Sequence, residues 1–159
     1  MPSGPLKIGL ISDTHGLLRP EAVAMLSGSD FIIHAGDIGS PDVLAGLARL
    51  APVTAIRGNV DRGSWASTLP DTEVVQVGHA FIFVIHNIAD LDIVPAAAGF
   101  NVVVSGHSHR PGSRETGGVL FVNPGSAGPR RFKLPISIGR LVIAETGITA
   151  DLTELAAAR

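Results

Sequence analysis

The stretch Val102-Val103-Val104-Ser105-Gly106-His107-Ser108-His109 decides how the chain is interpreted. Its apolar run, 102–105, is typical of a strand buried on both faces, because such strands lack the alternation of a half-exposed strand. Gly106 permits a sharp turn where a side chain would clash. His107 and His109 follow with one residue between them, so both imidazoles can converge on one point beyond the strand. Imidazole suits divalent transition metals, so the stretch indicates a metal site, with a solvated loop as the alternative.

Upstream of this stretch, short apolar runs alternate with helix-like segments. The runs 6–12, 31–34 and 53–56 predict strands, and segments 20–26 and 41 to about 50 predict helices. Pro20 and Pro41 suit a first helical turn, and Ser40 suits the N-cap of the second helix. A β-α-β-α-β order predicts a parallel sheet with right-handed crossovers.

The second half of the chain predicts mainly strands. Two of them, 73–77 and 80–86, form a predicted hairpin around Gly78 and His79, and a weaker helix over 89–98 is interrupted by Pro95. Further strands are predicted over 119–122 and, as an antiparallel pair, over 136–144 and 148–152.

Composition limits the classes of function. The 159 residues predict a single domain over 1–159, with fraying expected at 1–5 and 154–159. The absence of cysteine excludes thiolate zinc sites and cysteine nucleophiles, and a net charge of -2 gives no basic footprint for nucleic acid. The sequence contains no signal-peptide pattern and no apolar run of the ~20 residues that a membrane span needs. We therefore expect a cytoplasmic protein that does not bind membranes.

The informative pattern is that polar residues follow the predicted strands. In open α/β sheets, ligand sites lie beyond the carboxyl ends of the strands. Any single Asp at such a position is more often a turn residue or a helix cap. Seven such side chains after five strands indicate a metal site instead: Asp13, His15, Asp37, Asn59, His86, His107 and His109.

These residues carry a family resemblance that spans residues 6–130. Five motifs resemble the signature blocks of the calcineurin-like metallophosphoesterases, namely Asp13-x-His15, Gly36-Asp37, Gly58-Asn59, His86 and Gly106-His107-x-His109. The run Arg57-Gly58-Asn59-Val60-Asp61 and the late Asn123-Pro124-Gly125-Ser126 are similar to the small single-domain YfcE-type phosphodiesterases of that superfamily. The resemblance implies an α/β fold, a four-layer α-β-β-α sandwich with two mixed β-sheets.

The resemblance also implies two divalent metal ions. Asp13, His15, Asp37 and His109 would hold the first, and Asp37, Asn59, His86 and His107 would hold the second, with Asp37 bridging. A sulfur-free set of carboxylates and imidazoles agrees with Mn²⁺, with Ni²⁺, Fe²⁺ or Zn²⁺ as alternatives. The implied reaction is attack of a metal-bridging hydroxide on phosphorus, with no catalytic side chain beyond it.

One departure from the family affects the expected substrate. Classical phosphoprotein phosphatases of this superfamily have a histidine directly after the Gly-Asn pair, whereas this chain has Val60, which cannot donate a proton. Loss of a general acid typically lowers the reaction rate by ~10²–10⁴-fold, which favours substrates with good leaving groups. We therefore expect a small phosphodiester substrate. The alternatives are a phosphomonoesterase or protein phosphatase, and a non-catalytic scaffold that resembles the small retromer subunit. A homodimer is expected by analogy alone.

Four further residues are candidates for contact with substrate or for support of the ligands. Asp61 and Arg62 follow Asn59 and would orient a ligand or a phosphate, with a surface ion pair as the alternative. His34 lies inside an apolar strand, where a satisfied core histidine or a residue behind the ligands is expected, with an eighth ligand as the alternative. Asn123 belongs to the late family loop, with a plain turn as the alternative.

Two adjacent arginines are left without an assigned role. Arg130 and Arg131 are interpreted as a solvated pair, with a contact to a substrate phosphate as the alternative.

Overall fold

The computed structural model describes residues 4–131 and 133–156, which form ten strands, two α-helices and one 3-10 turn. Proline occupies the first turn of both α-helices, and the Ser40 side chain accepts a hydrogen bond from the Asp42 amide as an N-cap. In chain order the elements are β1 (Leu6–Ile11), α1 (Pro20–Leu26), β2 (Phe31–His34), α2 (Pro41–Ala48), β3 (Val53–Ala55), β4 (Thr72–Val77), β5 (Ala80–Ile85), the 3-10 turn (Ile88–Asp90), β6 (Val102–Val104), β7 (Gly112–Thr116), β8 (Val119–Asn123), β9 (Ser137–Ala144) and β10 (Gly147–Glu154).

The first sheet has the strand order β10-β9-β1-β2-β3. β1, β2 and β3 are parallel, with Ile8 opposite Phe31 and Ile32 opposite Val53. The C-terminal hairpin joins this sheet through antiparallel pairing of β9 with β1. The carboxyl ends of the three parallel strands therefore lie at one edge.

The second sheet has the strand order β4-β5-β6-β8-β7. Its central strands β5, β6 and β8 are parallel, and the edge strands β4 and β7 are antiparallel to their neighbours. β6 is buried along its whole length between two parallel partners, as its unbroken valine run predicts.

The main core lies between the two sheets, and α1 and α2 cover the outer face of the first sheet. Ile8 and Leu10 of β1 meet Ile82 and Val102 of the second sheet in this core. A second cluster joins the helices to the opposite face of the first sheet, and includes Leu26, Ile32 and Leu47. The α/β architecture of two stacked mixed sheets is thus as predicted.

One predicted helix is wrong and one strand was not predicted. Residues 89–98 form no α-helix: the 3-10 turn Ile88–Asp90, capped by the Asn87 side chain, ends at Asp90, and a separate hydrogen-bonded turn follows over 95–99. Pro95 lacks the backbone donor that a continuous helix would need there. Leu91 of this segment packs against the cluster of Ile85, Val103 and Val119 on the outer face of the second sheet, where a helix was expected. β7 was missed because all five of its residues are exposed and give no apolar pattern.

The predicted fraying concerns residues that lie partly outside the described ranges. Residues 1–3 and 157–159 are not described, whereas Glu154 belongs to β10 and Leu155 is buried. Among the described residues, no helix is both long and apolar enough to cross a membrane.

Candidate metal centre

The seven residues expected to form the site lie where strands of both sheets end. Asp13 and His15 follow β1, Asp37 follows β2, and Asn59 follows β3. From the second sheet, His86 follows β5 directly, and His107 and His109 follow β6. The carboxyl ends of the parallel strands of the two sheets thus bring these side chains to one place.

Six of these side chains form two compact groups. The ligand-type atoms of Asp13, His15 and His109 all lie within 4.8 Å of one another, and those of Asp37, His86 and His107 do the same. The two histidines of the 106–109 loop therefore belong to different groups. Their rings accordingly contact different partners: the His109 ring lies tilted beside His15, and the His107 ring meets His86 edge-on.

Asp13 is buried and held by its Oδ2 atom. Oδ2 accepts hydrogen bonds from the Ser12 hydroxyl at 2.7 Å and from the His107 amide at 3.0 Å, which ties β1 to the loop after β6. Burial of this carboxyl raises its pKa, even though these hydrogen bonds favour the charged form. The ionised carboxylate therefore requires positive charge nearby.

The other oxygen of Asp13 faces imidazole nitrogens. Oδ1 lies 3.4 Å from Nε2 of His109, 3.9 Å from Nε2 of His86 and 4.0 Å from Nε2 of His15. Among the residues that the structure describes, Oδ1 has no hydrogen-bond partner. Its lone pairs point into the centre of the cluster.

Asp37 lies between the two groups. Its Oδ2 is 3.3 Å from Nε2 of His86 and 3.8 Å from Nε2 of His15, so it faces one histidine of each group. Its Oδ1 accepts a hydrogen bond from the Val60 amide at 3.1 Å. Burial disfavours the charged form, but His86 and the Val60 amide outweigh it and lower the pKa of Asp37 to about 2.

The tautomer of His86 is set by the backbone. Its Nδ1 lies 2.7 Å from the Ala35 carbonyl, which can only accept, so Nδ1 carries the proton. In the neutral ring Nε2 is then unprotonated, and its lone pair faces Asp37. Burial opposes protonation, but the Asp37 carboxylate and the Ala35 carbonyl raise the pKa of His86 above its ordinary value. A cation at Nε2 would take the place of that proton.

The donor set fits divalent cations. Four buried atoms have no hydrogen-bond partner within residues 4–131 and 133–156: Asp13 Oδ1, His15 Nε2, His86 Nε2 and His109 Nδ1. Buried polar atoms are normally satisfied. Three of these atoms converge, because Nε2 of His15 and Nε2 of His86 lie within 4.0 Å of Asp13 Oδ1, and such a group without donors matches the requirements of a metal ion. Burial, and then the nearby Arg131 cation, oppose protonation of His109 and lower its pKa, which keeps this imidazole available as a ligand.

Five of the seven residues have left-handed backbone. The φ angles are 55° at Asp13, 47° at His15, 56° at Asp37, 70° at His107 and 63° at His109. Such angles in non-glycine residues cost on the order of 1–3 kcal/mol each and cluster at functional sites.

Two glycines allow the loops to approach one another. A Cβ on Gly106 would meet the Ser12 hydroxyl oxygen and lie 2.6 Å from Asp13 Oδ2. A Cβ on Gly58 would meet the backbone nitrogen and Oδ1 of Asp37. Both positions therefore require glycine for steric reasons.

His34 is buried, and both of its ring nitrogens have hydrogen-bond partners. The Thr14 hydroxyl donates to the Ile38 carbonyl at 2.9 Å, so it accepts from Nε2–H of His34, also at 2.9 Å. The Gly36 amide donates to Nδ1 of His34 at 3.1 Å. The ring is fully buried and neutral, and burial lowers its pKa to about 3.

Asp61 is buried and supports the site through backbone rather than as a surface ion pair. Its carboxylate accepts from the amides of Ile38, Gly39 and Gly58 at 3.1, 2.9 and 2.9 Å. The loops after β2 and β3 are thereby joined. Arg62 is exposed, and within residues 4–131 and 133–156 it makes no hydrogen bond or ion pair with the cluster.

Asn123 supports the loop after β6. Its amide nitrogen donates to the Gly106 carbonyl at 3.0 Å and to the Ser108 hydroxyl at 3.1 Å, and its Oδ1 accepts from the Gly125 amide. It therefore holds the backbone on which His107 and His109 are carried.

Two clefts open beside the cluster. One, of about 510 Å³, is lined by His15, His109, Pro129, Arg130 and Arg131. The other, of about 660 Å³, includes Asn59, His86, Asp90 and Asp92, together with the ion pair of Arg57 with Asp71 at 2.9 Å. Asn59 is exposed in this second cleft.

Sequence reasoning missed Ser12 and the Ala35 carbonyl. Ser12 directly precedes Asp13 at the end of β1, and this adjacency was the only signal available for its role. The Ala35 carbonyl carries no sequence signal, because any residue supplies one.

Comparison with known proteins identifies related chains. A model of the calcineurin-like phosphoesterase superfamily domain matches residues 6–146. A probable metallophosphoesterase of Methanothermobacter thermautotrophicus is 38% identical over 130 residues, which cover 75% of this chain and 76% of that protein.

Solved structures share the fold along nearly the whole chain. Vacuolar protein sorting 29 of Cryptosporidium parvum matches with a TM-score of 0.78 and 18% identity, covering 98% of this chain and 100% of that one. The YfcE phosphoesterase of E. coli matches at 0.68 and 23% identity, covering 94% and 100%. An archaeal protein described as a novel phosphodiesterase matches at 0.76 and 26% identity, covering 93% and 100%.

Proposed function

This chain belongs to the calcineurin-like phosphoesterase superfamily, and we propose that it hydrolyses small phosphodiesters with two bound divalent metal ions. The family and the two groups of ligand-type side chains together imply the use of divalent metal. We propose Mn²⁺ as the metal, with Ni²⁺, Fe²⁺ or Zn²⁺ as alternatives that the same donors accept.

The observation that carries the proposal is the set of buried acceptor atoms without donors. Asp13, His15 and His109 would hold one ion, and Asp37, His86 and His107 the other, because each group is already compact. Asp37 would bridge the ions, since its Oδ2 faces His86 and His15.

Asn59 would complete the second group from its exposed position in the adjoining cleft. When bound, the ions would activate a water molecule and neutralise phosphate oxygens, so that no side chain needs to act as nucleophile. The chain's own contribution is orientation. Asp61 joins two ligand loops, Asn123 supports a third, and the Ala35 carbonyl fixes the His86 tautomer.

The preference for a diester rests on Val60. Its side chain is 47% exposed beside the site and cannot protonate a leaving group, while its amide serves only to position Asp37. Without a general acid, substrates with good leaving groups are favoured. The archaeal phosphodiesterase at 26% identity supports the same preference.

Two alternatives make different predictions. A phosphomonoesterase or protein phosphatase would bind metal and prefer monoesters. A non-catalytic scaffold is suggested by the shared fold of vacuolar protein sorting 29, and would show no turnover. The donor set indicates metal binding, and turnover is the measurement that separates an enzyme from a scaffold.

The test combines metal content with two chromogenic substrates. After removal of metal with EDTA and addition of Mn²⁺, mass spectrometry should find about two ions per chain. Bis(p-nitrophenyl) phosphate should be hydrolysed faster than p-nitrophenyl phosphate. Asp37→Asn should abolish turnover with a retained circular dichroism spectrum, because it removes the bridging charge, whereas the exposed Asp151→Asn should change neither.

Each other outcome selects an alternative. Neither metal nor turnover would establish the scaffold, and monoester preference would establish the phosphatase. Full activity of Asp37→Asn would refute the proposed centre. A cytoplasmic location, which rests on the sequence, and a homodimeric state, which rests on analogy alone, are parts of the same proposal.

A further inference from the structure

The two clefts beside the centre differ in charge. The cleft next to His15 and His109 contains two exposed cations, Arg130 and Arg131. In the part of the chain that the structure describes, neither guanidinium has a carboxylate within 4.0 Å or a hydrogen-bond partner. Guanidinium is permanently charged and matches the geometry of phosphate, so two adjacent groups without such partners at the mouth of a site are available to an anion.

The opposite cleft has the reverse charge. Asp90 and Asp92 are exposed there, and none of the ion pairs among the described residues includes them. The only arginine in this cleft, Arg57, is already paired with Asp71. An anionic substituent of a bound phosphodiester is therefore repelled on the Asn59 side and attracted on the His15 side.

We propose that Arg130 and Arg131 form an anion subsite that selects phosphodiesters carrying a second phosphate group on one of their two arms. This rests on the proposed phosphodiesterase function and names its substrate class. The planar guanidinium donates two parallel hydrogen bonds to phosphate oxygens, which a lysine or a neutral side chain does not do. The uncharged arm of the diester then lies toward Asn59 and the acidic cleft.

A matched pair of substrates tests the subsite by kinetics. The p-nitrophenyl ester of thymidine 5′-phosphate and the same ester with a 3′-phosphate have one scissile bond and one leaving group in common. The wild-type protein with Mn²⁺ should show a KM about tenfold lower for the 3′-phosphorylated ester. Arg131→Ala should lose most of this ratio, and Arg130→Ala part of it, because exposed charges contribute unequally.

The control is Arg49→Ala at the end of α2, which removes the same charge from an exposed position outside both clefts. It should leave the KM ratio unchanged. The ratio should also fall as NaCl is raised from 0.05 to 0.5 M, because screening shortens the reach of exposed charges.

Binding provides a readout that does not depend on turnover. Calorimetry with the Mn²⁺-replete protein should find a Kd about tenfold lower for thymidine 3′,5′-bisphosphate than for thymidine 5′-phosphate, and Arg131→Ala should remove the difference. If neither ester is hydrolysed, the proposed function fails while these Kd values still decide the subsite. Equal Kd values in the wild type, or a preference that survives in both arginine variants, would overturn it.

Discussion

Replacing His107 by glycine should stabilise the metal-free fold relative to replacing it by alanine. His107 is exposed, and its backbone φ is 70°, in the left-handed region. Its amide hydrogen bond to Asp13 survives in both variants, and both lose the ring contact with His86. The two variants therefore differ only in the Cβ atom at a strained position.

The magnitude follows from the sign of φ. At an ordinary exposed position in a strand or helix, glycine is less stable than alanine by roughly 0.5–1 kcal/mol because it loses more backbone entropy. A Cβ in left-handed backbone costs on the order of 1–2 kcal/mol, which reverses the order. After the entropy loss of glycine is subtracted, we expect the free energy of unfolding of His107→Gly to be higher than that of His107→Ala by about 0.5–1 kcal/mol, or a difference of about 1–4 °C in Tm for a chain of this size.

The assay is urea unfolding of both proteins in EDTA, followed by circular dichroism. With equal m-values, the difference in midpoint gives the difference in the free energy of unfolding. Ser113 of β7 provides the control pair, because it is exposed and has no left-handed backbone. There the alanine variant should be the more stable one. If glycine proves equal to or less stable than alanine at position 107, the strain attributed to this loop does not exist.

Further predictions concern the two groups, the loop contact and pH. His107→Ala and His109→Ala should each reduce the metal content by about one ion, and crystallographic metal positions should show that different ions are lost; loss of both ions in both variants would contradict the split. Gly106→Ala should lower the unfolding free energy by about 1–3 kcal/mol, because its Cβ overlaps the site, whereas Gly112→Ala, with open space around it, should not. His34 has a pKa of about 3 in the folded protein against an ordinary value of 6.5, so between these pH values the ring is protonated only in the unfolded chain. The contribution of the neutral His34 ring to the stability of the fold is therefore complete above pH 6.5 and declines below it. Measured by urea unfolding in EDTA, the free energy of unfolding of the wild type should fall by ~2 kcal/mol more than that of His34→Gln between pH 7.5 and pH 5. An equal dependence on pH in the two proteins would refute the buried neutral ring.

The sequence predicted those elements whose residues show a periodic apolar pattern or form an unbroken apolar run. The valine run of β6 and the alternating helices and strands of the first half were recognised because burial leaves a local pattern. β7 left none, since Gly112–Thr116 is exposed throughout. The pairing of β9 with β1 joins residues more than a hundred positions apart, and no local pattern specifies such a contact.

The candidate site could be predicted as a set of residues but not as a geometry. Polar residues at strand ends converge because parallel strands share an edge, and that reasoning needs only residue order. The left-handed backbone at Asp13 and His109, and the proton on Nδ1 of His86, depend on tertiary contacts that become visible only in the fold. The same holds for Asp61, whose sequence neighbours gave no sign of three backbone partners.

The close approach of Gly58 to Asp37 and of Gly106 to Asp13 also bears on how such a site would decay in evolution. Gly58 is required by its close contact with the Asp37 backbone, and Gly106 by its close contact with the Ser12 and Asp13 side chains, whether or not a metal binds. Asn59 and His107 are exposed and contribute little to the core, so selection on the fold alone would not retain them. We therefore expect a descendant that abandons catalysis to keep both glycines and to change Asn59 or His107 first. Retention of Asn59 and His107, more than retention of the two glycines, would therefore distinguish an active protein from one that keeps only the fold.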